Sequence, residues 1–115
     1  MEYRKKKAWI YTHIDAPEDS HGALKQQYKQ LDIYGEQLQL EIAGCSSDLG
    51  GKTGLERPGL ELFLKEKDCR GIAVLLVLDS SRLSRNEKLC QDFLLRMKKN
   101  GIKVYSPLEG ILSAG

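Results

Sequence analysis

The stretch Asp79-Ser80-Ser81-Arg82-Leu83-Ser84-Arg85-Asn86 carries two arginines and three hydroxyl side chains in eight residues. It follows an apolar run, Ile72 to Leu78, and precedes an amphipathic run with Leu89, Phe93 and Met97 on one face. That context makes it a strand-to-helix turn. Ser84 and Glu87 have capping-box spacing, so the helix is expected to start near Arg85 with its free N–H groups pointing into the turn. Two arginines beside a helix N-terminus suit an anion, above all a phosphate. The same residues also make an ordinary solvated turn. A second cluster lies in the glycine-rich stretch from Asp48 to Leu60, which holds Lys52, Arg57 and Pro58. Phosphate-cradle spacing is absent there, and a plain flexible connection is the competing reading. A third set, Tyr11, His13 and Asp15, alternates along the first strand and so shares one face.

These residues need elements to position them. Lys7 to Ile14 alternates as a first strand, with Trp9 and Tyr11 on one face and Ile10 on the other. Ser20 to Tyr34 reads as a helix with Leu24, Tyr28 and Leu31 in its stripe, Gln27 beside that stripe, and Gly35 ending it. Leu38 to Ala43 alternates as a second strand, and Ser46 to Gly54 reads as a loop. Pro58 suits the first turn of a helix that turns Leu60, Phe63 and Leu64 inward. Ile72 to Leu78 is apolar without a break, as a central parallel strand covered on both faces would be. The helix after the arginine turn stops at Asn100-Gly101, and Ile102 to Tyr105 forms a fourth strand. Leu108 to Gly115 shows little pattern. Alternating strands and helices imply an α/β fold, a three-layer arrangement with a mainly parallel sheet of four or five strands. Its site is expected at the carboxyl ends of the strands. Asp15, Asp48 and Arg82 all fall just past expected strand ends.

Composition narrows the class. At 115 residues the chain is expected to form one domain over 1–115. Its formal net charge is +2, too small to mark the whole chain as a nucleic-acid binder. No apolar run is long enough to span a membrane, and no signal peptide is evident, which implies a cytoplasmic protein. Cys45, Cys69 and Cys90 form no C-x-x-C pair and read as reduced, mostly buried thiols. Two histidines give no metal-site pattern, so neither a metal nor another cofactor is expected.

Three stretches resemble one family. The arginine turn resembles the "L-D-R-L-S-R-N" signature of the serine recombinases, the resolvase and invertase family. Asp48 to Leu60 resembles that family's loop "D-G-x-S-G-x-x-x-x-R-P-x-L". Ala8 to Asp15 lies where the family has "A-x-x-Y-x-R-V-S". The resemblance runs from about Lys7 to Leu112. It implies a resolvase-type catalytic domain, in which a serine attacks a DNA phosphodiester and arginines hold the phosphate without a metal. Carried over by position, it assigns Tyr11, Gln27, Asp48, Arg57, Arg82 and Arg85 to the catalytic site, and Lys52 with the three arginines to DNA contact. It also implies duplex DNA as a partner and a homodimer or higher oligomer in the full-length context. The family's dimerisation helix and separate DNA-binding domain are not expected within 1–115.

The pattern departs at the chemical centre. Asp15 stands at the nucleophilic serine and His13 at an arginine. Gly51 stands at a serine, and Ser81 at the aspartate just before the arginine that opens "R-L-S-R", here Arg82. A carboxylate about 4 Å from a phosphodiester, at an effective dielectric of about 20, adds repulsion on the order of 4 kcal/mol. His13 and Asp15 are expected to pair. The reading that follows is a recombinase catalytic-domain homologue that contacts DNA phosphates and is impaired in strand cleavage. Three competitors stand beside it. One is a working enzyme with Ser20, Ser80 or Ser81 as nucleophile. Another is a Mg²⁺-dependent phosphotransfer domain using Asp15, Glu18, Asp19 and Asp79. The last is a non-catalytic dimerisation or regulatory module.

Overall fold

A computed structural model of the chain describes residues 5–16, 19, 21–50 and 57–114. The strands are β1 (Lys7–Ile14), β2 (Glu41–Leu49), β3 (Ile72–Leu76), β4 (Lys103–Ser106) and β5 (Gly110–Leu112). The helices are α1 (Ala23–Gln37), α2 (Pro58–Glu66) and α3 (Glu87–Lys99), with a 3-10 turn at Ser80–Arg82. The strands form one sheet in the order β2-β1-β3-β4-β5. The first four run parallel, and β5 pairs antiparallel with β4. This is the three-layer, mainly parallel α/β fold expected from the alternation of elements.

The sheet separates two apolar cores. Ala8, Ile10, Val74 and Leu76 face α1, where they meet Leu31. Trp9, Tyr11, Leu75 and Val77 face the other way and pack with Phe63 of α2 and with Cys90, Leu94 and Met97 of α3. Both faces of β3 are therefore covered, which explains its unbroken apolar run.

Several boundaries differ from the sequence reading, each for a local reason. Gly35 does not end α1 but lies inside it. A Cβ there would sit 2.9 Å from Ile42 Cδ1 and 3.1 Å from Leu76 Cδ1, so the bare backbone lets the helix lie close on the sheet. The helix ends instead on Gln39, whose φ is 59°. Leu40 N–H donates to Gly35 O at 2.9 Å and Gln39 N–H to Glu36 O at 3.0 Å, a Schellman closure built without glycine. The strand expected over Leu38 to Ala43 lies later, at Glu41–Leu49, so Ser46 to Leu49 are strand and not loop. The tail past Leu108 forms β5.

The expected Ser84–Glu87 capping box is not formed. Asn86 caps α3 by accepting from Leu89 N–H at 3.0 Å, and Ser84 Oγ accepts from Asn86 N–H at 3.0 Å. Asn is as good a cap as Ser, and packing on the sheet buries Cys90, Leu94 and Met97 of α3. Leu89 is left 44% exposed, with Phe93 half-buried. The cysteines, expected to be mostly buried, are mostly exposed: Cys45 and Cys69 lie at the surface and Cys90 is buried.

Candidate functional site

β3 ends beside Ile10, so the last residues of β1 have no strand neighbour on that side. Other groups satisfy that backbone. Gln27 from α1, buried, accepts from His13 N–H at 3.2 Å and donates its amide to His13 O at 2.8 Å. Arg82 also donates to His13 O, at 2.9 Å. Gln27 thus fixes the end of the strand that leads into Asp15.

Asp48 sits within β2, paired in register with His13, rather than past a strand end. Its buried carboxylate has three donors. Tyr11 Oη–H donates at 2.7 Å, Gly59 N–H at 2.7 Å and Leu60 N–H at 3.0 Å. Asp48 is therefore the cap of α2, supplied from the neighbouring strand. The approach is close: a Cβ on Gly59 would lie 2.5 Å from Ser47 O. Ser46 Oγ reinforces it by donating to Gly59 O at 2.6 Å while accepting from Trp9 Nε1–H at 2.9 Å. Burial, and then the bond to Asp48, pushes the Tyr11 phenol far above its ordinary range, so it stays protonated.

The arginines meet at the arginine turn. Arg57, just before α2, donates through Nη1 to Arg82 O and, at 2.6 Å, to Leu83 O. Arg82 reaches back to β1, and its Nε lies 3.6 Å from Asp79 Oδ2. Among the described residues neither the buried Nε–H of Arg57 nor that of Arg82 has an acceptor within hydrogen-bond distance, although the Asp79 carboxylate faces the latter as an ion-pair partner. Arg85 pairs with Asp15, the residue directly after β1. The expected His13–Asp15 pair is replaced by this one: Arg85 is a permanent cation, whereas burial lowers the His13 pKa and so disfavours its charged form.

Burial lowers the His13 pKa most, and the Arg57 cation lowers it further. Asp15 and Asp48 pull the other way, and Arg82 adds to the lowering. The stability linked to neutral His13 is full above its unfolded pKa of about 6.5, and is lost as pH falls through the lower folded value. Urea midpoints measured from about pH 7 down to about pH 5 are expected to fall. His13→Asn should flatten that decline. An equal slope in both proteins would show that His13 is not its source.

Lys52 lies outside the described residues, as do Glu18, Ser20 and Gly51. Asp19 caps α1 through Ala23 N–H at 2.7 Å and Leu24 N–H at 3.2 Å. Asp79 caps the 3-10 turn through Ser81 N–H at 3.0 Å and also accepts from the Ser81 hydroxyl. These carboxylates serve local turns, and no three His, Cys, Asp or Glu side chains gather around a metal-sized space among the described residues. The residue that sequence reasoning missed is Glu109. It accepts from Ser80 N–H at 2.8 Å and from Ser80 Oγ–H at 3.1 Å. Its only sequence signal was a Pro107-to-Gly110 turn pattern. No helix among the described residues is long and apolar enough to cross a membrane.

The family described as "Resolvase, N terminal domain" matches residues 16–113, so β1 lies outside the matched stretch. No curated protein matches the chain in sequence. Among solved structures, the chain is similar to the N-terminal catalytic domain of TP901-1 integrase, at 25% identity and a TM-score of 0.78, over 91% of this chain and 79% of that one. It is also similar in fold to a resolvase family site-specific recombinase from Streptococcus pneumoniae, at 24% identity and a TM-score of 0.80, over 93% and 75%. A third likeness in fold is to the C-terminal catalytic domain of ISC1926 TnpA, an IS607-like serine recombinase, at 22% identity and a TM-score of 0.75, over 87% and 68%. The family match spans well over half of the sequence, and the chain therefore belongs to the resolvase family, as a resolvase-type catalytic domain.

Proposed function

We propose that this domain contacts duplex DNA through its phosphates and is impaired in strand cleavage because Asp15 occupies the nucleophile's place. The observation that carries this reading is the linkage of the arginines. Arg57 is bonded to the backbone of Arg82 and Leu83, Arg82 to His13, and Arg85 to Asp15, so all three reach one turn and one strand end. The largely exposed Arg85 guanidinium supports the reading as a donor that a phosphate can reach. Tyr11, Gln27 and Asp48 act as supports for that cluster, and Lys52 belongs to the same DNA-contact reading. The proposal extends to a single domain over 1–115 that assembles as a dimer or higher oligomer.

Asp15 changes the chemistry in two ways. Attack on a phosphodiester by its carboxylate would break the bond to the 3′ oxygen, releasing a 3′-hydroxyl, and give an acyl phosphate, which water cleaves, rather than a phosphoserine that waits for rejoining. Its charge also opposes a phosphate and occupies Arg85. Both partners are well exposed, at 44% and 76%, so the pair is worth only about 0–1 kcal/mol and yields readily to a better anion. Asp15→Asn is accordingly expected to tighten binding of a short duplex at low salt by about two- to fivefold. Fluorescence anisotropy measures this. Unchanged or weaker binding would remove Asp15 from the DNA-contact surface.

A second reading is favoured by one feature. Leu60, Leu64, Leu89 and Phe93 line a groove between α2 and α3, together with Arg57 and Arg96. Such a face suits a dimerisation or regulatory role beside an active recombinase. Mixed-oligomer formation with an active relative, undiminished by Arg82→Ala, would favour that role over DNA contact.

A further inference from the structure

The arginine turn is held from a direction that the catalytic motif does not include. β4 and β5 are joined through Pro107, Leu108 and Glu109, and Ser106 pairs with Gly110 across the hairpin. Gly110 has a φ of 77°, a left-handed conformation that glycine adopts without strain. Ser106 Oγ organises the loop by accepting from Leu108 N–H at 3.2 Å and Glu109 N–H at 3.0 Å, while donating to Leu78 O at 2.7 Å. The loop is thereby fixed to the end of β3. From it the Glu109 carboxylate takes both the N–H and the hydroxyl of Ser80, the first residue of the 3-10 turn. Two residues later comes Arg82. Glu109 and Arg85 both line one cavity of about 580 Å³, together with Ser84, Cys90 and Leu112.

Resting on the phosphate-contact reading above, we infer that Glu109 is a positioning residue for the anion site. Its carboxylate clamps Ser80 and so sets where the guanidinium groups of Arg82 and Arg85 stand. Charge-assisted bonds to a backbone N–H and a hydroxyl are the stronger class of hydrogen bond, and both converge on one residue. Asp79 and Arg57 hold the middle and far end of the turn. Glu109 alone, among these ties, comes from the C-terminal hairpin, and it makes the hairpin part of the site.

Electrostatics and positioning predict opposite signs, which makes the test sharp. Glu109 is an acid beside cations, so its charge alone opposes anion binding, and simple removal of that charge should tighten sulfate binding. Loss of the clamp should weaken it. Wild type, Glu109→Ala and Glu109→Gln are titrated with sulfate at low salt, following the Arg82 and Arg85 side-chain N–H signals by NMR. Amide exchange at Ser80 to Leu83 and thermal melting are measured on the same samples. Glu109→Ala is expected to weaken sulfate about tenfold with little change in melting temperature. Glu109→Gln keeps a carbonyl acceptor for Ser80 N–H and is expected to bind at least as well as wild type. Binding by Glu109→Ala as tight as wild type or tighter overturns the inference, and so does equal weakening in both variants. If wild type itself shows no sulfate response, the phosphate reading fails separately. The clamp is then judged by exchange, where faster exchange at Ser80 to Leu83 in Glu109→Ala upholds it and unchanged exchange overturns it.

Discussion

Asp48→Ala is expected to destabilise the domain by about 3 kcal/mol, since it removes a helix cap worth about 1 kcal/mol and strands a buried hydroxyl at about 1–3 kcal/mol. The Tyr11 side chain is completely buried and its hydroxyl has Asp48 as its acceptor. The N–H groups of Gly59 and Leu60 lose their acceptor in the same step. For a chain of this size the loss corresponds to a fall in Tm of roughly 10 °C. Urea unfolding with an unchanged m-value measures it. Tyr11→Phe alone should cost far less, because it removes the donor together with the need for an acceptor. The two changes combined should cost less than their sum, since they share one hydrogen bond. Strict additivity would mean that the Tyr11–Asp48 bond carries no energy. Arg57 adjoins the first turn of α2, so Asp48→Ala should also loosen the proposed anion site.

Arg82→Ala is expected to weaken sulfate or duplex binding by about ten- to a hundredfold, the worth of a charge-assisted hydrogen bond in a partly buried site. The salt slope of duplex binding should fall by about 1, the contribution of one lost phosphate contact. Arg57 bonds to the backbone carbonyls of residues 82 and 83, not to the Arg82 side chain, so the turn itself should persist. Arg82→Lys should recover part of the affinity, because it restores charge without the planar fork that reaches His13 O. Full recovery by lysine would mean that only charge matters there. Equal binding by wild type and Arg82→Ala would remove Arg82 from the contact surface.

The parts that were legible in the sequence are those set by period and by local chemistry. The apolar run of β3, the proline at the start of α2 and the Asn100-Gly101 stop of α3 each came from one stretch of chain. The arginine turn was legible for the same reason, whereas Asp15, expected on one strand face with Tyr11 and His13, lies just past the end of β1. What escaped depends on partners distant in sequence. Gly35 looked like a helix stop because its contacts with Ile42 and Leu76 come from two other strands. Asp48 looked like a loop residue because the extension of β2 to Leu49 is made by pairing with β1, not by its own alternation. Its role as the cap of α2 spans the stretch between residues 48 and 59, where local capping rules do not look. Glu109 gave no chemical signal at all, since its partner Ser80 lies 29 residues away. The expected His13–Asp15 pair failed because strand-face geometry allowed it but did not weigh Arg85 as a competitor.

The most direct measurement is an NMR titration of the labelled domain at low salt, first with a short DNA duplex and then with sulfate, following backbone amides and arginine side chains. A surviving phosphate site gives shifts clustered at Tyr11, Arg57, Arg82 and Arg85 with both ligands, reversed by added salt and lost in Arg82→Ala. A folded protein in which those four residues stay silent, whatever moves elsewhere, would contradict phosphate contact by this domain.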